Sequence, residues 1–518
     1  MAAPPEPVPA LEPRLARLGP ALAALTTFAV HAACWGRYGL FRDEMYYLVC
    51  GQRLSAGYVD QPPGIAVVAR LAFSLFGTWV PGLRLFSWIA GAATVYLVGR
   101  LAARIAGGSA TAATLAAVAA SSCLLLLGAP QHLSLNAFEP LLVLAVVHVL
   151  LRLTEGGDER LWVAAGGLAG LAVLMKYTAA PLCLALLAGI AVTPARRALR
   201  TWWALAGATV GALVVLPNFL WQATHGFPFL EIVHAGVAWK NTPTTPLQFL
   251  VLLVMEAGLL IAPLWVGGLC WLLLAQRARA SRFIGVGGLI HLLALIFGHA
   301  KPYYATALLP LLLAGGAVAV EALVRSRTIR WAYGALFVAS AVVLAPLTIP
   351  VLPLNILIRY MGAVGIRPPA NERFEQSVLP QYFADQFGWR ELTAGVARVY
   401  RSLPAEEQAH AVVFTPLNYG AASALEILGP EYGLPRGIAI SGHNQFWFWG
   451  VPSGRGDPLI AVSDPGFNCR DYYREQVLGE QLPKVPYAMP YDNGHTIWIC
   501  RGLFAPPLTL PPSVRQFE

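Results

Sequence analysis

Long apolar runs separated by short arginine-rich segments constrain this chain more than any other feature. Runs are readable at residues 18–35, 81–103, 109–128, 138–152, 161–175, 178–193, 202–220, 247–275, 283–298, 303–323 and 331–352. At 1.5 Å per helical residue each crosses, or nearly crosses, ~30 Å of hydrocarbon. Composition agrees, because 12% of the 518 residues are Asp, Glu, Lys or Arg against about 25% in an average soluble domain. The mean hydropathy is +0.58. An ordinary soluble enzyme is excluded, and so is disorder, which needs low hydrophobicity and high charge. The 49 glycines and 40 prolines follow no G-X-Y period, so collagen is excluded too. The runs predict a polytopic α-helical membrane protein of about eleven transmembrane helices.

Residues 161–193 form either one helix or two. A single helix would reach roughly 50 Å, too long without extreme tilt. Two short spans put Arg152 and Arg160 on the same side as Arg196, Arg197 and Arg200, as the positive-inside rule requires. With eleven spans every arginine cluster falls inside: Arg14/Arg17, Arg104, Arg152/Arg160, Arg196/Arg197/Arg200, Arg277/Arg279/Arg282 and Arg325/Arg327/Arg330. Segments 36–80, 129–137, 176–177, 221–246, 299–302 and everything after about 353 then face outward. The net charge of +9 is mostly arginine, since the lysines are Lys176, Lys240, Lys301 and Lys484 alone. Arginines clustered between apolar runs make a topology code rather than the basic stripe a nucleic-acid binder needs. Three of those lysines, and most of the carboxylates and histidines of the membrane part, lie in outer segments.

Past about 353 the apolar runs shorten and charge density rises. Helix signals at 389–401 and 419–428 alternate with strand-like stretches near 410–415, 437–441, 458–462 and 496–500, which predicts an α/β module. The expected organisation is a disordered cytoplasmic tail at 1–17, a transmembrane domain at 18–352 and an extracytoplasmic α/β domain at 353–518. The seven cysteines contain no CxxC, so no metal pattern exists; Cys469 and Cys500 are the pair in the outer domain that oxidation could join.

The first outer segment holds the densest chemistry, Phe41-Arg-Asp-Glu-Met-Tyr-Tyr47 and then Gly57-Tyr-Val-Asp-Gln-Pro-Pro-Gly64. A helix over 42–54 would place Asp43 on one face with Tyr46 and Tyr47. A second amphipathic stretch at 65–76 carries Arg70 and would lie in the membrane interface. The plain alternative is that Asp43 caps its helix and Glu44 is solvated.

These motifs, with Leu174-Met-Lys-Tyr-Thr178, Leu216-Pro-Asn-Phe-Leu-Trp-Gln222 with His225-Gly, and His299-Ala-Lys-Pro-Tyr-Tyr304, carry a family likeness. The chain resembles the bacterial glycosyltransferase 39/PMT_2-type family, relatives of protein O-mannosyltransferases and of the aminoarabinose transferase that modifies lipid A. In the tail, Asn418-Tyr-Gly420, Gly429-Pro-Glu-Tyr-Gly433 and Ser441-Gly-His-Asn-Gln-Phe-Trp447 resemble the outer domain of one bacterial subgroup. The likeness runs from about residue 20 to about 505, and rests on the order and spacing of the motifs together.

The resemblance implies a GT-C fold and transfer of a sugar, with inversion, from a polyprenyl-phosphate carrier to an acceptor outside the cytoplasm. The acceptor would be an envelope lipid, polysaccharide or protein, and the enzyme would sit in the bacterial cytoplasmic membrane with its N-terminus inside. Asp43 occupies the place of the family's catalytic acid or base. A departing phosphate needs positive neighbours, for which Lys176, Lys240 and Lys301 are candidates, although each could instead snorkel to headgroups. Arg42, Glu44, Tyr46, Tyr47, Asp60 and Tyr177 are further substrate-binding candidates, and Tyr303 and Tyr304 could bond phosphate or sugar or simply belong to an aromatic belt. Relatives often carry a carboxylate where Asn136 stands; here Glu139 follows three residues later, on the same helical face. Gln61 replaces a lysine of the aminoarabinose branch. His225 could be catalytic or interfacial, and His443 and Asn444 could bind acceptor or belong to a packing strand. No cofactor or metal is expected. Asp43 and the lysines are expected to share one lipid-accessible cavity.

Three other functions compete. A nucleotide-sugar transferase usually wants a D-x-D site facing the cytoplasm, and no D-x-D occurs. A lipid-linked sugar transporter would favour charges near the midplane and matching halves, neither of which is visible. A non-catalytic glycan-binding membrane protein would keep the aromatics and dispense with Asp43.

Overall fold

The computed structural model describes residues 12–240, 242, 244–365, 375, 377–416 and 418–518; residues 1–11 of the expected tail lie outside them. The chain separates into two compact units: residues 1–36, 81–219 and 243–352 form one, and 37–80, 220–242 and 353–518 form the other.

The first unit is helical. Its helix Glu12–Ala33 begins ahead of the run expected at 18–35. Val80–Ile105, Leu135–Thr154, Trp202–Thr224 and Arg327–Leu347 are each long and apolar enough to cross a membrane. Two bent pairs raise that count to six among the described residues if each is one span: Ala110–Ser122 with Leu124–Gln131, bent by 65°, and Pro246–Ala257 with Ala262–Leu274, bent by 115°. Leu161–Met175, Ala179–Val192, Arg282–Phe297 and Leu309–Leu323 are apolar but shorter. The run at 161–193 is thus two helices, broken at Lys176–Thr178. The run at 247–275 is not one helix. A capping box at Thr245 and Gln248 starts its first half, and Gly258, at φ 108°, turns the chain before Ile261.

Close helix approach rests on small residues. A Cβ added to Gly166 would sit 1.8 Å from the Gly207 carbonyl oxygen, so these backbones touch. The outward faces stay apolar: Leu205, Leu274, Leu323 and Val342 are at least 70% exposed. Side chains of that kind require a hydrocarbon solvent rather than water.

The second unit contains the helices Arg42–Gln52, Gly64–Phe76 and Pro228–Ala235 and the α/β tail. The strands are β1 (Val412–Phe414), β2 (Ala439–Ile440), β3 (Leu459–Ser463), β4 (Tyr473–Gln481) and β5 (Thr496–Leu503), in the order β2-β1-β3-β5-β4. β1 pairs in parallel with β2 and β3, while β5 runs antiparallel to β3 and β4. β1 and β3 are buried throughout and read as continuous apolar runs. Trp389–Ser402 and Tyr419–Leu428 are helices, as the periodicity predicts. A disulfide joins Cys469 to Cys500, with Cα atoms 6.5 Å apart. The segment 445–449 is a helical turn, not a packing strand.

Candidate active site

The Arg42–Gln52 helix starts where Phe41 is extended (φ −76°, ψ 147°). The Phe41 N–H donates to Glu44 Oε2 at 2.8 Å, and Glu44 is fully buried. The capping carboxylate is therefore Glu44, neither solvated nor pointed at an open site. Asp43, also in the first turn, is released from that duty and is half-buried. Tyr419 donates its hydroxyl to Asp43 Oδ1 at 2.7 Å, and Arg42 Nε lies 3.6 Å from the same oxygen.

Arg42 is itself fixed from three sides. Its Nη1 donates to the Tyr491 hydroxyl at 3.1 Å, its Nη2 lies 3.5 Å from Asp385 Oδ2, and its backbone N–H donates to the Asp385 carbonyl at 3.1 Å. Burial alone would lower the guanidinium, but Asp385, Tyr419, Tyr491 and Asp43 outweigh it and hold its pKa well above the ordinary value. Arg42 is a permanent cation beside Asp43.

A second carboxylate stands next to this group. Tyr46 donates to Asp60 Oδ1 at 2.9 Å, Asn444 Nδ2 donates to Asp60 Oδ2 at 3.3 Å, and the Tyr46 and Tyr419 rings lie 4.7 Å apart. Burial pushes the Tyr46, Tyr47 and Tyr419 hydroxyls well above their usual range. Asp60 adds to the rise at Tyr46 and Asp43 at Tyr47; at Tyr419 Asp43 adds and Arg42 opposes. All three remain donors rather than acids.

The other expected residues of this unit are supports. Gln61 is buried and donates through Nε2 toward Cys50 Sγ at 3.5 Å. His443 accepts the Tyr419 backbone N–H through Nδ1 at 3.2 Å, which satisfies the first N–H of the Tyr419–Leu428 helix. Asn444, at φ 47°, accepts the Glu518 N–H at 3.1 Å while it holds Asp60. His225 is exposed and stacks on Trp221, with centroids 4.1 Å apart. The Lys240 side chain lies outside the described residues.

A separate cluster forms in the first unit. Lys176 Nζ lies 3.0 Å from Glu139 Oε2, with the two side chains 10% and 1% exposed. Thr178 donates to the other Glu139 oxygen. The Tyr304 and Tyr303 ring centroids are 5.0 and 5.6 Å from the ammonium, so it is held by a carboxylate and two π-faces. Tyr177 donates to Asn218 Oδ1 at 3.0 Å. Asn136 Oδ1 has no hydrogen-bond partner among the described residues. Lys301 is within electrostatic reach of Glu256.

Tyr419, Asp385, Tyr491, Thr178 and Asn218 are not among the residues that sequence reasoning selects. Tyr419, Thr178 and Asn218 sit inside the quoted motifs Asn418-Tyr-Gly420, Leu174–Thr178 and Leu216–Gln222, the one signal that could have found them. Among the described residues no group of three or more His, Cys, Asp or Glu is placed to hold a metal ion.

Residues 60–221 match the model of a family described as dolichyl-phosphate-mannose-protein mannosyltransferase, PMT_2. The family likeness read from the sequence is found again over these residues, and the fold is shared with two solved structures. Among solved structures, ArnT from Cupriavidus metallidurans bound to undecaprenyl phosphate is similar over 96% of this chain and 99% of its own, at 17% identity and a TM-score of 0.60. The same protein in its apo state is similar over 96% and 98%, at 15% identity and a TM-score of 0.58. No curated protein matches significantly.

Proposed function

We propose that this protein is an inverting glycosyltransferase. It moves a hexose or pentose from a polyprenyl-phosphate carrier to a hydroxyl of an envelope lipid, polysaccharide or protein, on the outer face of the cytoplasmic membrane. The acceptor oxygen attacks the anomeric carbon as the bond from that carbon to the phosphate oxygen breaks. Asp43 takes the acceptor proton, and the carrier leaves as its phosphate anion. Lys176 receives that anion, because a leaving phosphate needs a positive neighbour more than a proton. Tyr419 and Arg42 position the Asp43 carboxylate, and Asp60 orders Tyr46 beside it.

The observation that supports this reading most is Asp43 itself. It is a half-buried carboxylate left free of capping by Glu44 and aimed by the Tyr419 hydroxyl at 2.7 Å. The likeness to a protein solved with undecaprenyl phosphate supports the carrier, and apolar helices of spanning length support the membrane.

Mass spectrometry of envelope glycolipids and glycoproteins, with and without the gene, tests the reading. One sugar modification should disappear with the gene; an unchanged envelope would overturn it. The charges that the step needs are supplied by side chains, so transfer by the purified protein should survive EDTA. Loss of transfer that a divalent ion restores would contradict that part.

A further inference from the structure

A cavity of about 710 Å³ in the first unit plays no part in this reaction. It lies among four helices: Glu12–Ala33, Val80–Ile105, Leu135–Thr154 and Leu161–Met175. Tyr96, Arg100 and Arg104 succeed one another at four-residue spacing, as do His148 and Arg152, so each ladder lines one helix face. Arg17 joins them from the first helix.

The charge is lopsided. Arg104 Nε donates to Glu155 Oε2 at 3.0 Å, and Arg100 Nη1 donates to the Ala16 carbonyl at 3.4 Å. Arg17 and Arg152 are in no ion pair among the described residues. Among the described residues four guanidinium charges face one carboxylate, a surplus of three. The rest of the wall is apolar, from Leu97, Val149 and Leu168. A cavity with an arginine end and an aliphatic wall fits a ligand with a phosphate at one end and a hydrocarbon chain at the other.

We propose that this cavity binds one anionic phospholipid, with its phosphate on Arg100 and Arg152 and an acyl chain along Leu97 and Leu168. The arginine clusters to which Arg17, Arg104 and Arg152 belong are those the positive-inside rule sets on the inner side, so the ligand is a lipid of the inner leaflet. The assignment does not depend on the proposed transferase activity.

The test uses the full chain in neutral detergent and titrates fluorescently labelled phosphatidylglycerol and phosphatidylcholine of equal chain length. Saturable binding of the phosphatidylglycerol alone is expected, and equal binding of the two would overturn the proposal with no variant needed. Arg100→Gln with Arg152→Gln should weaken binding about 30-fold, at about fivefold per arginine, and Arg100→Lys with Arg152→Lys should recover most of it. Undiminished binding by the glutamine variant would overturn the site. Displacement by millimolar inorganic phosphate would mark a free-phosphate site instead, and would overturn the lipid.

Discussion

The Glu139–Lys176 pair offers the sharpest separation of support from chemistry. At 3.0 Å and an effective dielectric of about 20, the Coulomb attraction is about 5.5 kcal/mol before desolvation is charged against it. Neither side chain is more than 10% exposed, so water offers little screening. Removing one charge strands the other in a buried site, which costs roughly 3–5 kcal/mol. Thr178 remains bonded to the Glu139 position, which argues for the lower end, about 3 kcal/mol. Glu139→Gln and Lys176→Met should each lower the stability of the full chain in detergent by about that much, measured by thermal unfolding. The double variant removes both charges and should return to within about 1 kcal/mol of wild type. Turnover should not return with it, because the cation proposed to receive the phosphate is gone. A double variant that regains both stability and transfer would refute the role given to Lys176.

Two further outcomes concern the α/β tail. Burial, opposed by Arg42 and Asn418, raises the Asp492 carboxyl from 3.8 to about 6. The fold therefore prefers the protonated acid: this contribution is complete below about pH 4 and is lost as pH rises through about 6. The amount is roughly 3 kcal/mol at 1.36 kcal/mol per pKa unit. Asp492→Asn should flatten the stability profile between pH 4 and 7, and an unchanged profile would contradict the burial argument. Cys500→Ser opens a disulfide loop spanning 31 residues, and should cost about 3–4 kcal/mol. Thermal unfolding with and without reductant checks it, since wild type in reductant should match the variant.

The sequence made some of this architecture legible because single residues decide it. The break at 176–178 follows from arginine sidedness, and Phe41–Gln52 carries its own helix start in Asp43 and Glu44. The buried strands β1 and β3 announce themselves as short apolar runs. The 115° bend inside 247–275 does not, because one glycine in an apolar stretch leaves hydropathy unchanged. β4 was not legible either: Arg474, Glu475, Gly479 and Gln481 are exposed, so no alternation marks an edge strand that faces water. At the candidate site, Asp43 and Asp60 stand out as carboxylates next to a hydrophobic span. Their partners do not, since Tyr419 is 376 residues from Asp43 and Asn444 is 384 from Asp60. Contacts that distant are set by the fold, and no local period encodes them. Glu44 and Asp43 exchange the roles that helix propensity would assign, because the buried carboxylate takes the backbone N–H and leaves its neighbour free.

One substitution bears on the whole account: Asp43→Asn, which keeps the shape and the Tyr419 contact while removing the base. Sugar transfer by the purified protein should fall by about 10²- to 10⁴-fold, the range of a lost general base, with expression and polyprenyl-phosphate binding unchanged. Transfer at the wild-type rate by this variant would contradict the account at its centre.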